Sequence, residues 1–349
     1  MLPIFLFLCI AYTLIGLYEI NNERISYPMN EYIYHILVVI ISTLVGFRAY
    51  DMGEDTTRYY EKFFDGSHYA YAVHGEVGSY LLMEMAYQLN SPRLFFALVA
   101  FVVMPIYMKA MKEYPTVKNS LGWGYMLFLG TTVGLSAVCS YERQVIACGV
   151  VLYATKYLLS RNILKYTILI MLASTFHISS FFLIVLYPLT AREVKYENVL
   201  IVGVILCEVI KVSYEYISLI LPHYGLYFTD FSDDGHGIKQ MVLYCLMYVI
   251  FAMGYIKYRK DFRYNVFFKI YTLGIVLLLC FYPMLGVSVS VRIAFVCLSY
   301  MFLLLGYCVE IDNAYIRMIS KVSFTVALTA LYFYAMDVAN MIPFDIDGF

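Results

Sequence analysis

The chain has 349 residues, of which 62% are hydrophobic and only 14% charged, with a mean hydropathy of +0.73. Two soluble domains would fit that length, but the composition excludes them: apolar stretches long enough to cross a ~30 Å hydrocarbon core recur from end to end, and no polar segment could form an independent domain. The net charge is -1, so what matters is how the charges are divided among the loops; no nucleic-acid partner is expected.

In chain order, hydropathy predicts helices near 2–19, 31–47, 93–109, 121–139, 143–160, 163–175, 178–190, 198–213, 240–257, 266–286, 291–309 and 318–336. The expected architecture is all-α: a polytopic transmembrane helical bundle of about 12 helices (10–13), forming one integral membrane domain over residues 1–349, with two larger extracytoplasmic loops at about 48–92 and 214–239. The first apolar run, Leu2 to Tyr18, has neither a preceding basic region nor a small-residue cleavage site, and reads as a retained helix. The segments 163–175 and 178–190 are short for full crossings, and form either two short helices or one hairpin that dips in. Both options put His177 at a turn. All eight cysteines lie in or beside apolar stretches without a Cys-x-x-Cys pair, as small core hydrophobes would.

Orientation follows from Lys and Arg, which are retained on the cytoplasmic side of short loops. With both termini outside, 16 of the 24 basic residues fall in cytoplasmic connections, among them Lys109, Lys112, Lys156, Arg161, Lys165 and the run Lys257 to Lys269. The outside keeps Arg48, Arg58, Lys62, Arg93, Arg143, Lys211, Lys239 and Arg292.

Three of these stand at the outer ends of helices, against the charge bias. An Arg near the membrane centre costs roughly 2.5–3.5 kcal/mol on insertion scales, so each needs a reason. Arg48 follows the second helix in Gly46-Phe47-Arg48, Arg143 opens the fifth in Tyr141-Glu142-Arg143-Gln144, and Arg292 sits among small and apolar residues in Ser290-Val291-Arg292-Ile293. The plain reading pairs Arg48 with Asp51 or Asp55 and Arg143 with Glu142. The functional one is anion capture, since guanidinium forks bind phosphate oxygens bidentately and stay charged at any working pH.

His177 lies between two apolar segments among small hydroxyl residues, suiting either a packed turn or proton transfer. Glu76 heads a stretch of helical spacing, Val77 to Met85, that fits an outer-surface helix. Tyr59, Tyr60, Tyr69, Tyr71 and Tyr80 cluster in the first outer loop, where flat rings bearing a hydroxyl suit sugar stacking. His68, His74 and Glu76 match no defined metal site, so neither metal nor cofactor is expected.

Taken together, Gly46-Phe47-Arg48, Gly53-Glu54-Asp55-Thr56, Tyr59 and Phe63, then Glu76 with Tyr80, Arg143-Gln144 with Ala147, and Phe176-His177-Ile178-Ser179 resemble, in order, the motif blocks of the EpsG family of Wzy-type polysaccharide polymerases. Arg292 and Ile342-Pro343-Phe344 resemble its closing features. The resemblance implies a multi-pass protein of the bacterial cytoplasmic (inner) membrane. It would transfer a growing glycan from undecaprenyl pyrophosphate to the next lipid-linked oligosaccharide repeat at the outer face. The partners it implies are that lipid-linked oligosaccharide, membrane lipid, a chain-length regulator and a flippase. Glycosyl transfer needs a deprotonated acceptor and a stabilised leaving pyrophosphate, and the expected residues are Arg143 and Arg292, with Arg48 third, on the pyrophosphate, and His177 as phosphate donor or proton shuttle. Asp55 or Glu76 would be the general base or hold the acceptor sugar, and Tyr59 would contact substrate. Against that reading stand a lipid-linked-sugar flippase or other transporter and a polyprenyl-dependent glycosyltransferase or ligase.

Overall fold

The computed structural model describes residues 27–50, 52–53, 55–114, 135–220 and 236–309, with short helical pieces between 315 and 330. The helices expected at 2–19, at the front of 121–139 and over most of 318–336 lie outside these residues, as does the closing Ile342-Pro343-Phe344. Among the described residues the secondary structure is helical. In order the helices are α1 Tyr27–Gly46, α2 Thr56–Phe64, α3 Val77–Gln88, α4 Pro92–Lys112, α5 Leu135–Ser140, α6 Glu142–Leu159, α7 Ile163–Ser174, α8 Tyr196–Ile220, α9 His236–Tyr258, α10 Phe262–Leu298 and α11 Met301–Val309.

Three helical stretches, Pro92–Ala110, Gln240–Tyr258 and Phe262–Val287, are long and apolar enough to cross a membrane, and a pair bent by 55°, Val289–Leu298 with Met301–Cys308, makes a fourth if it acts as one span. Twelve spans were expected from hydropathy; three or four meet that standard among the described residues. Several other expected spans are present as helices that are shorter or carry charge. α6, for instance, includes Glu142, Arg143 and Lys156.

The chain groups into two compact units. The first contains the chain up to Tyr157, then Leu164–Phe181 and the chain from Leu305 onward. In it α1 packs along α4, and Gly46 sits so close to α4 that a Cβ there would lie 2.7 Å from the Ala97 Cβ. Small residues of this kind let helix backbones approach where lipid offers no hydrophobic driving force. Between its charged ends α6 is mostly buried, with Val145, Ile146, Ala147, Cys148, Val151 and Leu152 all in the interior.

The expected outer loop 48–92 is largely helical: α2, a 3-10 turn Ser67–Tyr69, a single turn Ala70–Val73, and α3, which packs on α4. Between α7 and the 3-10 helix Ile178–Val185 lies His177, so the two short apolar segments are two helices with the histidine in the turn.

The second unit, Leu158–Ile163 with Phe182–Leu304, is built on α10. The Asp261 side chain caps that helix by accepting from the Arg263 and Tyr264 amides. Gly286 interrupts it at φ 71°, a conformation that favours glycine, at the boundary where hydropathy ended the tenth span. α8 and α9 pack on α10 and turn apolar stripes outward: Ile201, Ile205 and Val209 on α8, and Val242, Leu246, Val249, Met253 and Ile256 on α9. Stripes of that extent need lipid or protein to cover them. Helix also occupies both ends of the expected 214–239 loop, because α8 runs to Ile220 and α9 starts at His236; residues 221–235 are outside the described set.

Candidate active site

α6 begins with two adjacent charges, and the fold sends them in different directions. Glu142 turns to Arg48. Its Oε1 accepts from Arg48 Nη2 at 2.7 Å, with both side chains fully buried. The remaining Arg48 donors are taken by the Met52, Val45 and Cys139 carbonyls and the Thr56 hydroxyl, at 2.9–3.3 Å, while the Phe96 ring covers the guanidinium at 4.1 Å. Val45 and Cys139 lie in the last turns of α1 and α5, so Arg48 satisfies orphan carbonyls at two helix C-termini while Glu142 sits at the positive N-terminus of α6. Gly53 completes the joint at φ 94°, packed on the Cys139 carbonyl where a Cβ would collide. Arg48 is therefore closed to a ligand unless this joint opens.

Arg143 turns instead toward Glu76. The Glu76 carboxylate is 2% exposed and receives three partners. Arg143 Nη1 donates to Oε2, while Oε1 accepts from His177 Nδ1 at 3.1 Å and from the Ile178 amide at 3.2 Å. Glu76 occupies the N-cap position of α3 but does not cap that helix; its side chain goes across to the start of the 3-10 helix after His177. The cross-connection holds because the α3 N-terminus is docked on the α7 end. The Gly78 amide donates to the Thr175 carbonyl at 2.8 Å, Ser79 Oγ donates to the Phe176 carbonyl at 2.8 Å, and a Cβ at Gly78 would lie 2.8 Å from Thr175 Oγ1.

Arg143 also donates through Nε to the Tyr59 hydroxyl at 3.0 Å and lies 4.6 Å from the centroid of the Tyr71 ring. Tyr59 itself is 4% exposed, and its ring packs against Phe95, Phe96 and Tyr71. It supports Arg143 and presents no open face for stacking on a sugar.

Burial opposes ionisation of Glu76, but the hydrogen bond from His177 and the Arg143 charge outweigh it and hold the carboxyl at about 2. Glu76 is thus an anion at any physiological pH, with both oxygens engaged. Open positions remain at the edge of the cluster. Among the described residues neither Arg143 Nη2 nor His177 Nε2 has a hydrogen-bond partner, and the two side chains are 21% and 17% exposed.

A sequence profile of the EpsG family matches residues 31–344. The chain belongs to the EpsG family. That is a family of Wzy-type polysaccharide polymerases, so this is a membrane protein of polysaccharide biosynthesis with a glycosyltransferase-type polymerase activity. No curated protein and no solved structure matches it.

Within this EpsG protein the fold brings Tyr59, Glu76, Arg143 and His177 into one cluster, although 118 positions separate Tyr59 from His177. The simple local ion pairs give way to crossed ones, Arg48 with Glu142 and Arg143 with Glu76. Asp55 stands at the N-cap position of α2 with its carboxylate 3.6 Å from Arg58. Asp51 lies outside the described residues. Arg292 is on α10 beyond the Gly286 break, partly buried, in the second unit.

The histidines of segment 48–92 separate: His68 Nε2 contacts Glu84 at 2.7 Å while Glu76 is committed to Arg143. Among the described residues no three His, Cys, Asp or Glu side chains form a metal-binding group. Sequence reading passed over Glu142 as a ligand of Arg48, and Lys62 and Tyr71 as members of the cluster. The one signal for Lys62 was its place on α2 three residues after Tyr59, on a face that Tyr59 and Phe63 bury.

Proposed function

We propose that this protein joins polyprenyl-pyrophosphate-linked oligosaccharide repeats, undecaprenyl pyrophosphate being the carrier, at the outer face of the bacterial cytoplasmic membrane. In this reading the acceptor sugar hydroxyl loses its proton to His177 Nε2 as its oxygen attacks the anomeric carbon of the growing glycan. The bond from that carbon to the pyrophosphate oxygen breaks, and Arg143 Nη2 donates to the departing pyrophosphate as its charge grows.

One observation carries the proposal. A single buried carboxylate, Glu76, is shared between a cation with an open donor and an imidazole with an open nitrogen. The anionic carboxylate accepts from Nδ1–H, which leaves Nε2 as the lone-pair nitrogen and fixes the ring. That division of labour favours Glu76 as the group that orients, and His177 as the one that moves the proton. Asp55, at the rim, is the alternative acceptor-sugar ligand. The charge bias that sets both termini outside supports an outer-face reaction, since it puts the end of α1, the start of α6 and His177 on the non-cytoplasmic side.

The test is complementation of a deletion strain with the surface glycan resolved on a gel. His177→Ala and Arg143→Ala proteins at wild-type abundance should give single repeats without the long-chain ladder. A full ladder from either variant would overturn the assignment, and loss of every repeat in the deletion strain would favour a flippase or ligase.

A further inference from the structure

Lys62 lies in the last turn of α2, half-buried, with its Nζ 4.3 Å from the centroid of the Tyr71 ring. The same ring takes the Arg143 guanidinium at 4.6 Å. Two cations thus share one aromatic side chain that is itself 5% exposed.

Glu76 is already committed, accepting from Arg143, His177 and the Ile178 amide. Among the described residues no carboxylate lies within ion-pair distance of Lys62. Burial, and after it the Arg143 charge, makes the Lys62 ammonium easier to deprotonate than usual. The charges of Glu76 and Asp65 oppose that shift without cancelling it, so an added anion between the two cations would be favoured.

We propose that Lys62 and Arg143 form a two-cation site around Tyr71 that takes the two phosphoryl groups of a pyrophosphate, one on each cation, with Lys62 deciding for pyrophosphate over monophosphate. The proposal rests on the reading of Arg143 given above. A guanidinium whose Nη2 has no partner among the described residues and a flexible ammonium are complementary here: the first fixes one phosphoryl group by geometry, the second follows the other as a point charge. Lys62 is a binding and specificity residue in this scheme, and Tyr71 positions both cations.

The experiment is calorimetric titration of the full chain in lipid nanodiscs with two ligand pairs: inorganic pyrophosphate against phosphate, and farnesyl pyrophosphate against farnesyl phosphate. The wild-type protein should prefer the pyrophosphate of each pair by about tenfold, the worth of one added charge-assisted contact. Lys62→Gln should lose the preference while keeping its affinity for phosphate, and Lys62→Arg should restore it; a merely structural lysine would not alter that ratio.

Binding of inorganic but not farnesyl pyrophosphate supports the site and assigns it to the free anion instead of a lipid headgroup. An unaltered preference in Lys62→Gln, alongside weakened binding in Arg143→Gln, overturns this inference alone. Unchanged binding in Arg143→Gln overturns it together with the catalytic reading.

Discussion

Glu142 and Arg143 are neighbours in sequence, and each forms an arginine–glutamate pair, yet the two pairs behave as opposites. Arg48 with Glu142 is fully buried, and every Arg48 nitrogen has a partner. Arg143 with Glu76 is covered on the carboxylate side only, and among the described residues Nη2 and the adjoining His177 Nε2 have no partner. The same chemistry therefore serves as a strut in one place and as a candidate site in the other. What separates them is the number of helix ends that converge on each arginine.

The sharpest way to break that comparison is to remove the strut. Arg48→Ala leaves Glu142 buried without its partner, a loss of about 3–5 kcal/mol, and should cut the amount of protein in the membrane fraction. Arg143→Ala leaves Glu76 still held by His177 and the Ile178 amide, so it should lose less abundance than Arg48→Ala while losing ~10²–10³-fold in polymer formed per protein, the scale for removing one preorganised donor. Immunoblot and glycan gel read the two together. Normal abundance with no activity for Arg48→Ala would make Arg48 a ligand after all.

Acid should distinguish the pairs next. The folded-state pKa of Glu76 is depressed from 4.5 to about 2. Its contribution is therefore fully present above pH 4.5 and is lost as pH falls toward 2. Linkage makes that about 3 kcal/mol, and Glu76→Gln should flatten the stability profile in that window. Thermal melts of the detergent-solubilised protein between pH 5 and pH 2.5 check it; an identical acid response in the variant would mean that Glu76 is not held by Arg143 and His177.

A smaller effect is expected at Gly53, where a Cβ meets both a positive φ and the Cys139 carbonyl. Gly53→Ala should destabilise the strut by about 1–3 kcal/mol, seen as a lowered melting temperature. Smallest is Tyr59→Phe, which removes only the hydroxyl that accepts from Arg143 Nε. About 1 kcal/mol is expected, appearing as a modest fall in polymer yield with abundance unchanged. A null result there would mean that Glu76 and Tyr71 alone hold the guanidinium.

Much of the site was legible in outline. Arg143 and His177 stood out because a cation or a histidine at a helix end needs a reason, and Glu76 because it heads a helical pattern. Their union was not legible, since 67 positions separate Glu76 from Arg143 and no periodicity links them. Lys62 and Tyr71 were hidden for a different reason: in a tyrosine-rich segment neither residue type is exceptional, and only the packing of α2 against the start of α6 sets them apart. Apart from the helical stretch Val77 to Met85, the segment 48–92 was read as a loop because its helices are short, and α2 in particular is amphipathic and too polar to register as a span.

The sequence by itself determined that this chain belongs in a membrane and that a helix ends near Gly286. Those are consequences of composition and local backbone preference. Only the tertiary structure decided which carboxylate each arginine takes. A guanidinium in a low-dielectric interior must satisfy its donors wherever acceptors are, and it is the convergence of the α1, α5 and α6 ends on Arg48, and of the α3 and α7 ends on Glu76, that supplies them.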